Sequence, residues 1–263
     1  MTDSIRIAGV CVVLTLLCVG AGGADGETES REAIRHLMDG IQTLEAGDFV
    51  ACAGSYRLAL DAAEMPDTRF QARLGLSTCL SAMGQVLEAS RVAQLAAAEA
   101  PDDPVAQHMA GAALLDIGQT DDAVALLERA TTLSPTFLSA WKDLGRARAA
   151  SGDNPGAEIA FNRALALDDE DVDAWIGLGV ARYQQERYED AITAFDQAVA
   201  IAPDRPRARY GRGASRLMIG DEDGARREAE ALASADPALA DRLIEEIEAE
   251  PEEGEGEVPD GGA

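Results

Sequence analysis

Residues 172–205 read VDAWIGLGVARYQQERYEDAITAFDQAVAIAPDR. Trp175, Leu178 and Arg182 fall at i, i+3 and i+7, which places them on one face of a helix. Gly179, on the same face, brings no side chain and allows a second helix to approach closely. Ala191, Phe195 and Ala198 then recur at i, i+4 and i+7 and form the facing stripe of that second helix. Pro203 has no amide hydrogen and ends the unit. The stretch is therefore a pair of antiparallel helices with apolar surface left over, and such a pair is buried only by neighbours of the same kind.

Neighbours with the same offsets run from Phe70 onward without insertion. Residues 70–103 carry Leu76, Leu80, Gly84, Ala89, Ala96 and Pro101, and residues 104–137 carry Gly111, Leu114, Gly118, Ala123, Leu127, Ala130 and Pro135. Residues 138–171 carry Trp141, Leu144, Gly145, Gly152, Ala157, Phe161 and Ala164, with Asp169 where Pro is usual. After 172–205, residues 206–239 supply Gly213, Gly220, Ala225, Leu232 and Pro237. Gly84, Gly118, Gly152 and Gly220 each stand where a first helix ends and a left-handed residue is favoured. Asn154-Pro155 reads as a helix cap followed by the first helical residue.

The 34-residue period and the order Trp175-x2-Leu178-Gly179…Ala191-x3-Phe195…Pro203 closely resemble the tetratricopeptide repeat. The resemblance implies an all-α solenoid of helical hairpins wound as a right-handed superhelix, with five regular units at 70–103, 104–137, 138–171, 172–205 and 206–239. A degenerate hairpin is expected at 27–69. There Ile34, Leu37, Met38, Ile41 and Leu44 miss the expected core positions by one residue when aligned through Gly47, so a turn one residue shorter is predicted. Phe49, Cys52, Tyr56 and Ala59 form its second helix, and Met65 to Arg69 join it to the regular array. At the other end, 238–250 is a capping helix with Leu239, Leu243, Ile244 and Ile247 on one face and acids on the other. Residues 251–263 are Glu, Gly and Pro with almost nothing to bury and read as a disordered acidic tail.

Composition agrees with helices packed through Ala and Leu: 47% of the 263 residues are hydrophobic and only 4% aromatic. The formal net charge of -26 argues against nucleic-acid binding through a basic surface and against attachment to an anionic membrane. Residues 1–26 resemble a cleavable secretory signal, with Arg6, the apolar run Ile7 to Val19 and the small residues Gly20 to Ala24 in that order. The run is shorter than the ~20 apolar residues of a spanning helix, and no second such run follows. An exported protein, periplasmic or extracellular, is expected. Cys18 offers lipidation, and an uncleaved anchor is the other alternative.

Cys52 and Cys79 remain after such a signal, without a CxxC pair or a Cys/His cluster, so no zinc site is supported. Both fall where small residues are favoured and read as two buried thiols, with a bond between neighbouring units as the alternative in an oxidising compartment. The chain has two histidines, His36 and His108, each expected on a surface or groove and neither with a partner signature for a catalytic base. No nucleophile elbow or phosphate loop occurs. The acid run Asp168 to Asp173 lacks the glycine and closing Glu of a calcium loop and suits a helix start instead. Neither a cofactor nor catalysis is expected.

Function is then expected on the concave surface that the family lines with the first helices. Lys142, Arg146 and Arg207 give that surface a cationic section, and Ile176, Tyr183 and Tyr210 give it apolar anchors. The family's chaperone-binding members hold a terminal carboxylate with Lys and Asn. Lys142 matches that pattern, while Arg146 and Gly177 replace the asparagines. The implied partner is a protein or peptide with an acidic segment or a terminal carboxylate, held by a non-catalytic scaffold or adaptor. The alternatives are a self-associating structural protein and an accessory subunit of an envelope enzyme complex. A second basic group, Arg209, Arg212 and Arg216, falls where helices pack together, with Ala225 and Ala229 opposite, and reads as a salt-bridge network with Glu228 and Glu230.

Overall fold

A computed structural model describes residues 30–249 of the chain. The segment 1–26 read as a signal and the tail 251–263 lie outside the described residues. Among the described residues there are thirteen α-helices and no strand. They fall into two compact units divided between Asp153 and Asn154. The first holds α1 (Arg31–Glu45), α2 (Phe49–Ala62), α3 (Pro66–Ala82), α4 (Val86–Glu99), α5 (Pro104–Asp116), α6 (Thr120–Leu133) and α7 (Leu138–Ala150). The second holds α8 (Asn154–Leu167), α9 (Val172–Tyr183), α10 (Tyr188–Ile201), α11 (Pro206–Met218), α12 (Glu222–Leu232) and α13 (Pro237–Glu248). Within each unit, every helix packs on the next in sequence, and the first helices of successive hairpins also touch, as α3 with α5 and α9 with α11.

The hairpin turns share one construction. The amide of the third turn residue donates to the carbonyl five residues back, as Gln85 to Leu80 at 2.9 Å and Gln119 to Leu114 at 2.9 Å. This satisfies a carbonyl that the end of the helix leaves open. The middle residue has positive φ: Gly84 at 74°, Gly118 at 78°, Gly152 at 86° and Gly220 at 80°. The first hairpin follows the same rule. Gly47 has φ 75° and Asp48 donates to Thr43 at 3.0 Å, so the turn is not one residue shorter as the alignment predicts. The displaced apolar stripe has another cause. Among the described residues α1 has helix neighbours on one side only, α2 and α3, and it turns Leu37, Ile41 and Leu44 towards them. Met65 to Arg69 are also more regular than expected. Pro66 opens α3, and the would-be connector is that helix's first turn. At the start of α8 the helix includes Asn154 itself.

Small residues dominate the interior. Ala89, Ala93, Ala96, Ala123, Ala130, Ala157, Ala164, Ala191 and Ala198 are fully buried. A methyl group on Gly179 would lie 2.7 Å from the Phe195 ring, which is the close approach that the repeat pattern demands. The tryptophans serve the turns rather than the deepest core. Trp141 Nε1 donates to the carbonyl of Pro135 at 2.8 Å, and Trp175 Nε1 to that of Asp169 at 2.7 Å. At the matching position of the next hairpin Arg209 Nε reaches the carbonyl of Pro203 at 2.8 Å. In each case a side-chain N–H six residues on caps a carbonyl between two hairpins.

Cys52 and Cys79 are fully buried, but they are not two separate thiols: they are joined in a disulfide, with Cα atoms 6.1 Å apart. The pairing of α2 with α3 brings them together, because each occupies the small-residue position that faces the other helix. The basic group in α11 forms the network its spacing suggests. Glu228 of α12 is 4% exposed and meets Arg212 at 2.8 Å, Arg216 at 2.9 Å and Arg209 at 3.5 Å. Asp196 and Asp221 add further partners, whereas Glu230 is exposed and takes no part in this set. The acid run before α9 is used for capping. Asp171 Oδ1 accepts from the amide of Ala174 at 2.8 Å, and Asp168 accepts from that of Glu170 at 3.1 Å.

Candidate functional site

In the first unit, α5 and α7 bring together residues that the sequence leaves unconnected. His108 Nε2 lies 2.8 Å from Asp143 Oδ2, and the His108 ring stacks at a tilt 4.8 Å from Phe137. The other oxygen of Asp143 accepts from Arg146 Nη1 at 2.8 Å. Burial pushes the Asp143 carboxyl up, but the hydrogen bonds and charges of His108 and Arg146 outweigh it and hold the group below its ordinary value. Asp116 is shifted the other way, by burial and by the charge of Asp143, with Arg146 opposing. Arg146 is thus exposed yet already opposed by a carboxylate, and Lys142 is half-buried and engaged as well. His108 has a partner that its sequence context did not reveal, because Asp143 lies one hairpin further on.

The remaining expected site residues belong to the second unit. Ile176 is only 7% exposed, within a cluster of Ala191, Phe195, Ala198 and Ala208. It is a core residue and not an anchor open to a partner, because α10 and α11 close over it. Tyr183 is half-buried with its ring edge-on to Tyr188 at 5.3 Å. Its hydroxyl is shifted up by burial, with Tyr188 and Glu246 adding to the effect. Tyr210 is half-buried too. Its hydroxyl donates to Glu246 Oε1, and the Arg242 guanidinium sits 5.1 Å above its ring. Burial and that hydrogen bond push the Tyr210 hydroxyl up to about 12. Arg207 is exposed and makes no ion pair among the described residues.

Arg207, Tyr210, Ala214, Leu217 and Met218 share one face of α11, and Val180 and Tyr183 share one face of α9, by helical spacing. Val180 is 39% exposed and Met218 50% exposed, so this face keeps apolar surface in contact with solvent beside a cation. Sequence reasoning missed the contribution of α13, whose Glu246 and Arg242 read there as a solvated face. Their i, i+4 spacing was the available signal, and Arg242 Nε does meet Glu246 at 3.1 Å. Gly177, where the family's clamp has Asn, is accounted for by packing: a methyl there would lie 2.4 Å from the Phe161 ring. Among the described residues no three His, Cys, Asp or Glu side chains converge to hold a metal ion.

The family model described as tetratricopeptide repeat matches residues 108–172, 142–206 and 176–240, each match starting 34 residues after the last. Together these spans cover half of the chain. The chain belongs to the tetratricopeptide repeat family. Solved structures of this repeat fold agree. A tetratricopeptide repeat protein from Parabacteroides merdae is similar with a TM-score of 0.71 at 17% identity, over 83% of this chain and 86% of that one. Pseudomonas aeruginosa pilF gives 0.68 at 16% identity, over 82% and 97%. MamA gives 0.57 at 23% identity, over 63% and 97%. At these identities the likeness is one of fold. No curated protein matches the chain closely enough in sequence to serve as a relative. Tetratricopeptide arrays are scaffolds for protein–protein interaction, and the class of function follows from the family. No helix among the described residues is long and apolar enough to cross a membrane.

Proposed function

We propose that this tetratricopeptide protein is an exported, non-catalytic scaffold that holds a protein partner on the first-helix face of its second unit. The observation that carries the reading is the exposure of Val180 and Met218 on the face that also bears Tyr183, Tyr210 and Arg207. Apolar side chains beside aromatic rings and an unopposed cation suit a peptide that offers an apolar side chain and a carboxylate. Asp143 already opposes Arg146, so the anion-binding role rests on Arg207 rather than on the Lys142 and Arg146 pair. Export is supported by the order of residues in 1–26 and by the Cys52–Cys79 disulfide, which persists in oxidising compartments.

Affinity capture from the native envelope with the wild-type chain supplies the partner. An Arg207→Glu, Met218→Glu variant is expected to bind that partner at least tenfold more weakly, with its melting temperature almost unchanged because both positions are exposed. Undiminished binding by this variant sinks the assignment to this face.

A further inference from the structure

The repeat is interrupted at one place in the first unit. A cleft of about 530 Å³ opens between α4, α5 and α6, within the ~300–1,000 Å³ that ligand clefts span. Gln107 of α5 lines it. The matching positions of the next two hairpins hold Trp141 and Trp175, the two tryptophans of the chain, and each sends its indole N–H to a carbonyl between hairpins, that of Pro135 or of Asp169. Arg73 and Arg209 hold the position in the other two regular hairpins, so this one alone has neither an indole nor a guanidinium there. Pro101, the counterpart of Pro135, also lines the cleft. Gln107 does not serve it. That side chain is buried and donates from Nε2 to the Ala97 carbonyl at 3.1 Å instead. Among the described residues the Pro101 carbonyl accepts no hydrogen bond. The walls are cut back as well. Ala97 of α4 stands where later hairpins have Thr131, Leu165 and Val199, and Ala125 of α6 stands where α8 has Ile159. The cleft thus lies where the array elsewhere places an indole ring, and it offers both the space and the acceptor.

Charge separates the ligands that could bring such a ring. Asp122 and Arg129 both line the cleft and are exposed, and Arg129 is already held by Asp102 at 3.1 Å. Two acids against one base leave this rim at -1, on a chain of net charge -26. A free indole carboxylate is repelled there. A tryptophan within a polypeptide brings the same ring on a neutral backbone. The cleft is open to solvent at Gln94, Ala98 and Ala125, all exposed, so a side chain can enter from outside. Inside, Ala97, Leu114 and Leu126 offer apolar surface to the ring, and the Pro101 carbonyl takes its N–H. An aromatic body with one polar handle is the kind of anchor that interfaces bury most profitably.

We propose that the cleft between α4, α5 and α6 receives a tryptophan side chain presented by a partner protein, with the indole N–H on the Pro101 carbonyl. The site lies in the first unit and does not depend on the partner face of α9 and α11. The probe is an end-capped glycine peptide with one central tryptophan, titrated into the isotope-labelled, disulfide-bonded chain and followed by NMR. Saturable shifts are expected at the amides of Ala97, Gln107 and Leu126. The same peptide with phenylalanine, which has a ring but no N–H, is expected to bind at least threefold more weakly. Gln107→Trp places the array's own ring in the cleft and is expected to weaken binding of the tryptophan peptide at least tenfold. Ala125→Ile, at an exposed position, narrows the cleft and weakens binding in the same direction, and it keeps the test decisive if Gln107→Trp does not fold. Absence of saturable shifts overturns the proposal, and so does undiminished binding by a folded variant. Equal binding of the phenylalanine peptide overturns the assignment to tryptophan. Free indole binding more tightly than the peptide overturns the assignment to a polypeptide.

Discussion

The Phe195 ring fills the space that Gly211 leaves open: a methyl group on Gly211 would lie 2.4 Å from Phe195 Cζ. The same relation ties Tyr56 to Gly75 and Phe161 to Gly177, each an aromatic ring of one hairpin against a glycine in the first helix of the next. Where the ring is absent the glycine is absent too: Ala93 is followed at the corresponding spacing by Met109, and Leu127 by Asp143. Packing density explains the pairing, since an aromatic ring between two helices needs a position without a side chain.

Gly211→Ala is accordingly expected to destabilise the protein by about 1–3 kcal/mol through overpacking. Phe195 is 1% exposed and its ring has little room to move aside. Combining Gly211→Ala with Phe195→Leu is expected to cost less than the sum of the two single changes, because the smaller side chain makes room for the methyl group. Urea unfolding of the three variants measures the coupling. Strict additivity would show that the ring and the glycine do not compete for one space.

Glu186 holds the middle position of the turn between α9 and α10 with φ 61°, where the other hairpins use glycine. The left-handed conformation costs an L-residue about 1–2 kcal/mol. The turn hydrogen bond is nevertheless made, from the Arg187 amide to the Arg182 carbonyl at 3.0 Å. Glu186→Gly is expected to raise stability by up to about 1 kcal/mol, part of the relief being offset by the greater freedom of glycine in the unfolded chain. A fall in the unfolding midpoint would show that the Glu186 side chain contributes more than its backbone strain removes.

These two sites mark how far the sequence reaches. The period, the turn glycines and the close approach at Gly179 are local signals repeated every 34 residues, and they determine the helices and their order. Gly177 and Gly211 belong to a different relation, between one hairpin and the next, and spacing within a unit does not disclose it. The site divides in the same way. Arg207 and Met218 are legible as members of one face of α11, and Val180 as a member of one face of α9. The burial of Ile176, the bond from Tyr210 to Glu246 and the contact of His108 with Asp143 depend on how neighbouring helices close together. The cysteines are the sharpest case: their small-residue positions disclose burial, but only the pairing of α2 with α3 makes them partners.

The Cys52–Cys79 bond closes a loop with a sequence separation of 27. Chain-entropy arguments put the stabilisation from such a loop at about 3.5 kcal/mol. A Cys52→Ala, Cys79→Ala variant is expected to lose a large part of this in urea unfolding, and reductant is expected to weaken the wild type in the same direction. Thiol reagents should label neither cysteine in the folded protein, nor after denaturation alone, and both after denaturation with reduction. Labelling after denaturation without reductant would show that the bond is not formed.

Asp143 provides the test that reads out with pH. Its carboxyl is held below the ordinary value by His108 and Arg146 despite burial, so the folded state binds its proton less readily than the unfolded chain. A carboxylate depressed in this way contributes stability that is fully present above the unfolded value, about 3.9. The contribution is lost as the pH falls below that value and through the lower folded one. Asp143→Asn is therefore expected to destabilise the protein by about 2 kcal/mol at neutral pH, the scale of hydrogen bonds to a charged group. The difference from wild type should shrink below about pH 4, where the wild-type carboxyl begins to take up its proton. Thermal unfolding of both proteins between neutral pH and about pH 3 measures it. A difference that stays constant across this range would show that the charge on Asp143 contributes nothing, and that His108 and Arg146 are held by packing alone.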